Sequence, residues 1–144
     1  MREILFRGKR IDNSEWIIGH LLKLEDGRAR ISQSHTDIFC YEKDSSIIQT
    51  VAHEVIPETV GQYTGKKDHE GEKIFEGDFL DVAGEDEPLL VEWHEGTARF
   101  ILSASTFTCD FENYYGWETE IIGNIQDSPK FWENADVPDT LERK

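Results

Sequence analysis

The sequence predicts a mainly β protein, a β-rich α+β fold with little helix, arranged as two small subdomains of short antiparallel strands. Three observations support this fold class. Apolar and polar residues alternate with a period of two in several segments, which is typical of strands buried on one face. Glycine, aspartate and asparagine separate these segments. The chain has 144 residues, of which 38% are hydrophobic, enough for one domain or two small ones.

The first subdomain is expected over residues 1–56. Its clearest feature is a strand over 16–24 followed by Asp26-Gly27, a pair that is typical of a two-residue type I′ hairpin turn. Residues 8–14 contain Gly, Asp, Asn and Ser and are predicted to form a turn. The strands predicted in this subdomain are 2–7, 16–24, 28–32, 38–41 and 47–55.

The second subdomain is expected over residues 57–134 and is followed by a polar tail at 135–144. Its strands form a meander that resembles a small SH3-like or half-open barrel, a likeness that carries no function by itself. Ser128-Pro129 is predicted to begin a single helical turn. The strands predicted in this subdomain are 62–64, 79–82, 89–94, 97–102, 107–111 and 118–126.

Glycine-bounded turns are concentrated between residues 61 and 82, around a polar excursion at 65–71. We interpret this segment as a structural joint that fixes the fold, and the contact between copies, rather than as an active-site loop. Its acidic turn residue is expected to accept backbone N–H bonds. The residues assigned to the joint are Gly61, Gly65, Gly71, Gly77 and Asp78.

The net charge of −15 and the pI near 4.6 argue against direct nucleic-acid binding, which needs a concentrated Lys/Arg surface. Residues 1–60 hold 8 Lys/Arg against 10 Asp/Glu, a net −2, whereas residues 61–144 hold 7 against 20, a net −13. The basic and acidic parts could meet within one monomer or between copies, and the hypothesis is a contact between copies; the alternative is a solvated acidic surface. The basic residues near the N-terminus are Arg2, Arg7, Lys9 and Arg10.

The residue types that usually hold metals or perform catalysis do not occur in a recognisable spacing. The five histidines never form His-x-His or His-x-x-x-His, and Asp68-His69-Glu70 lacks the register of a calcium loop. Cys40 and Cys109 are each isolated and are interpreted as buried free thiols. No nucleophile elbow or phosphate-binding glycine loop is present. The prediction is therefore no metal, no cofactor and no catalytic residue.

The densest aromatic group outside the strand pattern lies between residues 113 and 117, in a segment predicted to be a loop or one helical turn. Such side chains anchor interfaces because they bury a large area at small entropic cost, and they also cover the open ends of barrels. Its members Tyr114, Tyr115 and Trp117 are the candidate interface residues.

No apolar run approaches the roughly 18 residues of a membrane span, and the N-terminal residues lack the apolar region of a signal peptide. We therefore expect a cytoplasmic protein with no membrane partner.

Three blocks of the sequence resemble the YopX family of phage and prophage proteins. The first is Arg-Glu-Ile-Leu-Phe-Arg-Gly at residues 2–8. The second is Val-Ile-Pro-Glu-Thr-Val at 55–60, which runs into 61–78. The third is Ile-Ile-Gly-Asn-Ile at 121–125, followed by Asp-Ser-Pro at 127–129. The blocks span nearly the whole chain in the family's order, and Lys66 departs from the pattern because the family usually has an apolar residue there.

The resemblance implies a β-rich fold in two subdomains, a phage or prophage origin in a bacterial host, and self-association. It implies no activity, because the family offers no catalytic residues to carry over. The leading hypothesis is a non-enzymatic accessory protein that binds itself or another phage or host protein. Two alternatives remain open: a small hydrolase or nucleotide-binding enzyme whose site is assembled at a subunit interface, and an acidic DNA mimic that inhibits a host protein.

Overall fold

The structure, a computed structural model, describes residues 2–33 and 52–131. Within these residues the chain forms eleven short strands in two sheets, together with three one-turn 3-10 helices. The strand pairs whose registers are defined are antiparallel, so the predicted mainly β fold is confirmed. The chain divides into two compact units, Met1–Tyr63 and Thr64–Lys144. None of the helices in the described ranges is long and apolar enough to cross a membrane.

The first unit contains a sheet with the strand order β4-β3-β2-β1-β5, and a 3-10 helix at Pro57–Thr59 precedes β5. Its apolar core is buried between strands and includes Ile17, Ile31 and Val55. The strands are β1 (Phe6–Lys9), β2 (Trp16–Lys23), β3 (Ala29–Ser32), β4 (Ala52–Val55) and β5 (Gly61–Lys67), which continues into the second unit.

The first strand lies later than predicted, because Gly8 is inside β1 and does not begin a turn. A Cβ atom on Gly8 would lie 3.0 Å from Cβ of Val55. Glycine here allows two strands to pack closely, a use that the local sequence cannot distinguish from a turn. The turn occupies residues 11–13 instead.

The hairpin between β2 and β3 exists, but its turn differs from the predicted type I′ form. The Leu24 N–H donates to the Arg28 carbonyl at 2.9 Å, so three residues form the loop. Gly27 has a φ of 94°, whereas Asp26 is not in the left-handed region. One left-handed glycine at the end of a three-residue loop is typical of a type I turn with a bulge. Asp26 stabilises this loop by accepting the Arg28 N–H at 3.0 Å.

Several predictions lie wholly or partly outside the described residues. These are the strand at 38–41, the first part of the strand at 47–55, the thiol of Cys40, the helical turn beyond Phe131, and the tail at 135–144.

The second unit contains a sheet with the strand order β10-β9-β8-β7-β11. No pairing joins β10 to β11, so the described strands form no closed barrel. The strands of this sheet are β7 (Asp78–Val82), β8 (Leu89–His94), β9 (Arg99–Ser103), β10 (Thr108–Asp110) and β11 (Thr119–Asn124), whereas β6 (Lys73–Phe75) lies beside β5 in the other sheet. Two 3-10 helices, Phe111–Asn113 and Gly116–Glu118, lie between β10 and β11. The core of this unit is Ile74, Leu80, Val82, Leu89, Val91, Leu102, Ala104 and Phe111.

Two element boundaries in this unit differ from the sequence prediction. The loop between β8 and β9 runs over 95–98 rather than two residues, and the Thr97 N–H within it donates to Nδ1 of His94 at 3.2 Å. Strand β11 ends at Asn124 rather than at residue 126. The Asn124 side-chain carbonyl accepts the N–H groups of Gln126 at 3.0 Å and Asp127 at 2.9 Å, which turns the chain.

Candidate functional site

The five joint residues occupy different backbone conformations. Gly65, Gly71 and Gly77 have φ values of 91°, 85° and 95°, a region that favours glycine. Gly61 is buried in β5 opposite Arg7. The Asp78 side chain is buried and accepts the Phe75 N–H at 2.8 Å, the turn contact expected from the sequence.

The polar excursion is shorter than predicted, since β5 continues through Gly65 as far as Lys67. The turn that follows is organised by Asp68, a residue that is only 6% exposed. Its Oδ1 accepts the N–H groups of Glu70 at 3.0 Å and Glu72 at 2.9 Å, and its Oδ2 accepts the Ile121 N–H at 3.1 Å. Burial opposes the charge, but these donors outweigh it and the pKa of Asp68 is lowered.

This turn brings His69 beside β11. The His69 N–H donates to the Thr119 carbonyl at 3.0 Å. The imidazole Nε2 lies 3.8 Å from Oε1 of Glu120 and 3.9 Å from Oε1 of Glu70. Nothing in the sequence spacing indicated that Glu120 would meet His69, because the contact depends on how the turn packs against the strand.

An open pocket of about 300 Å³ adjoins this cluster and is lined by His69 and Glu120 together with Trp117. Among the described residues, its wall is acidic and contains neither lysine nor arginine. The remaining lining residues are Asp81, Val82, Ala83, Gly84, Glu85, Glu118 and Thr119.

Two of the three candidate interface residues, Tyr115 and Trp117, form an exposed stack. Each residue is 70% exposed, their ring centroids are 5.8 Å apart, and the ring planes differ by 9°. Glu118 fixes this segment because its Oε2 accepts the Tyr115 N–H at 2.6 Å. Thr119 adds a bond from its hydroxyl to the Gly116 carbonyl at 2.7 Å. We call Tyr115 and Trp117 the aromatic pair.

Gly116, between Tyr115 and Trp117, packs closely against the backbone of Lys67. A Cβ atom at this position would be 1.9 Å from the carbonyl oxygen of Lys67. The aromatic pair is therefore carried by a segment that packs directly on the backbone of β5.

The third candidate, Tyr114, packs against the core of the second unit rather than standing in solvent. Its hydroxyl donates to Oε2 of Glu85 at 3.4 Å. Lys66 supports the same segment: its ammonium donates to the carbonyls of Phe111 and Tyr114, both at 2.6 Å, and lies 4.5 Å from the Phe111 ring centroid. Burial lowers the pKa of Lys66. The cation that departs from the family pattern thus makes specific contacts.

Burial, followed by the neighbouring Cys109 and Glu85, raises the pKa of Tyr114 to about 12. A raised pKa means that the neutral phenol stabilises the fold, so this contribution is present below pH 10.0 and is lost as the pH rises towards about 12. We expect ultraviolet titration to show a phenol that ionises near pH 12. Tyr114→Phe should remove this transition, whereas Tyr115→Phe should leave it. An unchanged titration in Tyr114→Phe would contradict the assignment.

A second pocket, of about 370 Å³, is lined by polar residues that include His94, Arg99 and Asp110. Arg99 and Asp110 already form an ion pair at 2.6 Å. Cys109, which also lines this pocket, is a free thiol, and burial raises its pKa. A thiol with a raised pKa is a weak nucleophile at neutral pH, so this pocket offers no activated cysteine.

The fold and the site define a mainly β protein of two compact units, whose second unit presents an exposed aromatic pair beside an acidic pocket. The chain belongs to the YopX family: the family model described as "YopX protein" matches residues 5–133. Among solved structures, the crystal structure of protein EF1440 from Enterococcus faecalis is similar, with 19% identity and a TM-score of 0.46. That match covers 90% of this chain and 98% of the other. No curated protein matches the chain.

Proposed function

We propose that this protein is a non-enzymatic accessory protein of a phage or prophage that binds another polypeptide through the aromatic pair. The observation that carries the proposal is the exposure of Tyr115 and Trp117, at 70% each, in a stacked arrangement. Two large aromatic side chains left in water cost free energy that burial against a partner recovers. Tyrosine and tryptophan are also the residue types most enriched among interface hot spots.

The rigid support of the aromatic pair favours binding. The backbone is held by Glu118 and Thr119 on one side and by the close approach of Gly116 to Lys67 on the other. A surface that is ordered before association loses little conformational entropy when the partner binds.

The charge around the aromatic pair favours a partner that presents lysine or arginine. Glu85, Glu118 and Glu120 line the adjoining pocket, and a basic side chain would gain both ionic contacts and a cation–π contact with the exposed rings. The N-terminal basic residues of a second copy fit this role less well. Arg10 pairs with Asp12 at 2.6 Å within its own unit, and the guanidinium of Arg7 lies 4.8 Å from the Trp16 ring centroid.

Trp117→Ala is expected to reduce recovery of a basic partner about tenfold or more, because truncating a central aromatic anchor commonly costs about 2 kcal/mol or more. The measurement is quantitative pull-down from an infected or lysogenic host extract with the wild-type and variant proteins as bait. Trp93→Ala is the matched control, since Trp93 is also exposed in the second unit but packs edge-on against Phe100.

Equal losses in the two variants, or no loss in either, would contradict the proposal. Light scattering of the same proteins adds a second measurement. A dimer that dissociates in Trp117→Ala alone would assign the surface to a second copy instead of a basic partner. A captured protein that duplex DNA displaces would favour the DNA-mimic version of the function.

A further inference from the structure

We infer that His69, Glu70 and Glu120 form a binding site for one divalent transition-metal ion of the zinc class. One potential ligand atom from each residue lies within 4.8 Å of the others. The residues come from two segments, the turn after β5 and strand β11, so the cluster is a product of the fold. His69 and Glu120 line the same pocket as Trp117, but neither member of the aromatic pair contributes a ligand atom.

The distances within the cluster fit a gap that an ion would fill. The imidazole Nε2 lies 3.8 Å and 3.9 Å from the two carboxylate oxygens, too far for direct hydrogen bonds. Zinc–ligand bonds of about 2.0–2.2 Å in a tetrahedral arrangement place two ligand atoms about 3.4 Å apart. Small side-chain rotations would therefore bring all three donors to bonding distance.

The two ligand-bearing segments are already joined by backbone contacts. The His69 N–H donates to the Thr119 carbonyl at 3.0 Å, next to Glu120. The buried carboxylate of Asp68 joins the same turn to Ile121, on the other side of Glu120. These bonds fix the distance between the backbone segments that carry the imidazole and the Glu120 carboxylate. A fixed distance lowers the entropic cost of assembling the ligands around an ion.

The charge balance of the surrounding sheet also favours a cation. Glu120 lies directly opposite Asp81 on strand β7, and both residues line the acidic pocket. Like charges that are directly opposite on neighbouring strands are destabilising. Because no lysine or arginine of the described ranges 2–33 and 52–131 lines this pocket, a bound divalent ion would offset that repulsion.

The donor set selects the class of ion. One imidazole nitrogen with two carboxylate oxygens suits zinc and its first-row neighbours, whereas magnesium and calcium prefer sites built from oxygen alone. Three protein ligands leave a coordination position for water or for a group from a bound partner.

The test is a calorimetric titration of the full chain with Zn²⁺ alone, followed by a Co²⁺ titration whose visible absorption reports the coordination geometry of the bound ion. We expect one saturable site. His69→Ala and Glu120→Gln should each weaken Zn²⁺ binding at least about tenfold, on the scale of lost coordination contacts. The matched control is His94→Ala, an exposed histidine of the same unit that bonds Thr97 and lies in the other pocket; its affinity should stay within about twofold.

Absence of a saturable site, or equal weakening in His69→Ala and His94→Ala, would overturn the inference. Circular dichroism of each variant confirms that the fold is retained, and Glu120→Gln provides an independent readout at a second ligand. The titration contains no partner protein, so its failure would leave the proposed function standing.

Discussion

Replacement of Asp68 by alanine is expected to lower the free energy of unfolding by about 3 kcal/mol, because three part-buried backbone N–H groups lose the charged acceptor that they share. The wild-type carboxylate serves Glu70, Glu72 and Ile121 at 2.9–3.1 Å. A single side chain therefore closes the turn and attaches it to β11. Chemical denaturation followed by far-ultraviolet circular dichroism measures the loss.

The same carboxylate predicts an acid-sensitive contribution to stability. Burial works against its charge, yet the backbone donors lower its pKa below the ordinary value of 3.8. A lowered pKa in the folded state means that the stabilisation is complete above about pH 4 and is lost as the pH falls through the folded-state value. The free energy of unfolding of Asp68→Asn should therefore differ less between pH 6 and acid pH than that of the wild type, because asparagine carries no titrating carboxylate.

Asp26→Ala is the matched control, since Asp26 also accepts a turn N–H, from Arg28, but is exposed to solvent. Loss of the Asp26 carboxylate should lower the free energy of unfolding by about 1 kcal/mol or less, because water replaces the missing acceptor. Equal destabilisation by the two alanine variants would contradict the role assigned to the buried carboxylate of Asp68.

The strands were predictable from the sequence wherever one face is buried and the chain alternates. Strand β2 shows this rule at its start, with Ile17 and Gly19 buried and Ile18, between them, exposed. Glycine was the main source of error. Gly8 and Gly65 both lie inside strands. Gly8 allows close packing against Val55, and Gly65 has a left-handed backbone conformation. Neither role can be distinguished from a turn by the neighbouring residues in the sequence.

The candidate site was only partly predictable. The aromatic cluster was found by its composition, but exposure separates Tyr115 and Trp117 from Tyr114, and exposure depends on packing against the core. The meeting of His69 with Glu120 depends on the bonds that Asp68 makes to β11. Pairing between distant segments follows from tertiary structure, and neither period nor motif encodes it.

Gly116→Ala is expected to displace the aromatic pair and to lower the free energy of unfolding by about 2 kcal/mol, the scale of overpacking a tight contact. The new Cβ would lie 1.9 Å from the Lys67 carbonyl oxygen, which belongs to a backbone that cannot rotate away. The segment must therefore lift from β5, and the bonds that hold Tyr115 and Thr119 weaken with it. Denaturation measures the stability, and the pull-down used for Trp117→Ala measures the binding.

Gly96→Ala is the control for this prediction, because within 4 Å its Cβ would meet only the side chain of His94, at 3.2 Å, and that exposed side chain can shift by a few tenths of an ångström. Its stability should stay within about 0.5 kcal/mol of the wild type, as for ordinary surface changes. If Gly116→Ala loses stability but retains full partner recovery, the position of the aromatic pair does not control binding. If it loses neither, the close approach to Lys67 is relieved by a small shift, and the rigid support proposed for the aromatic pair is wrong.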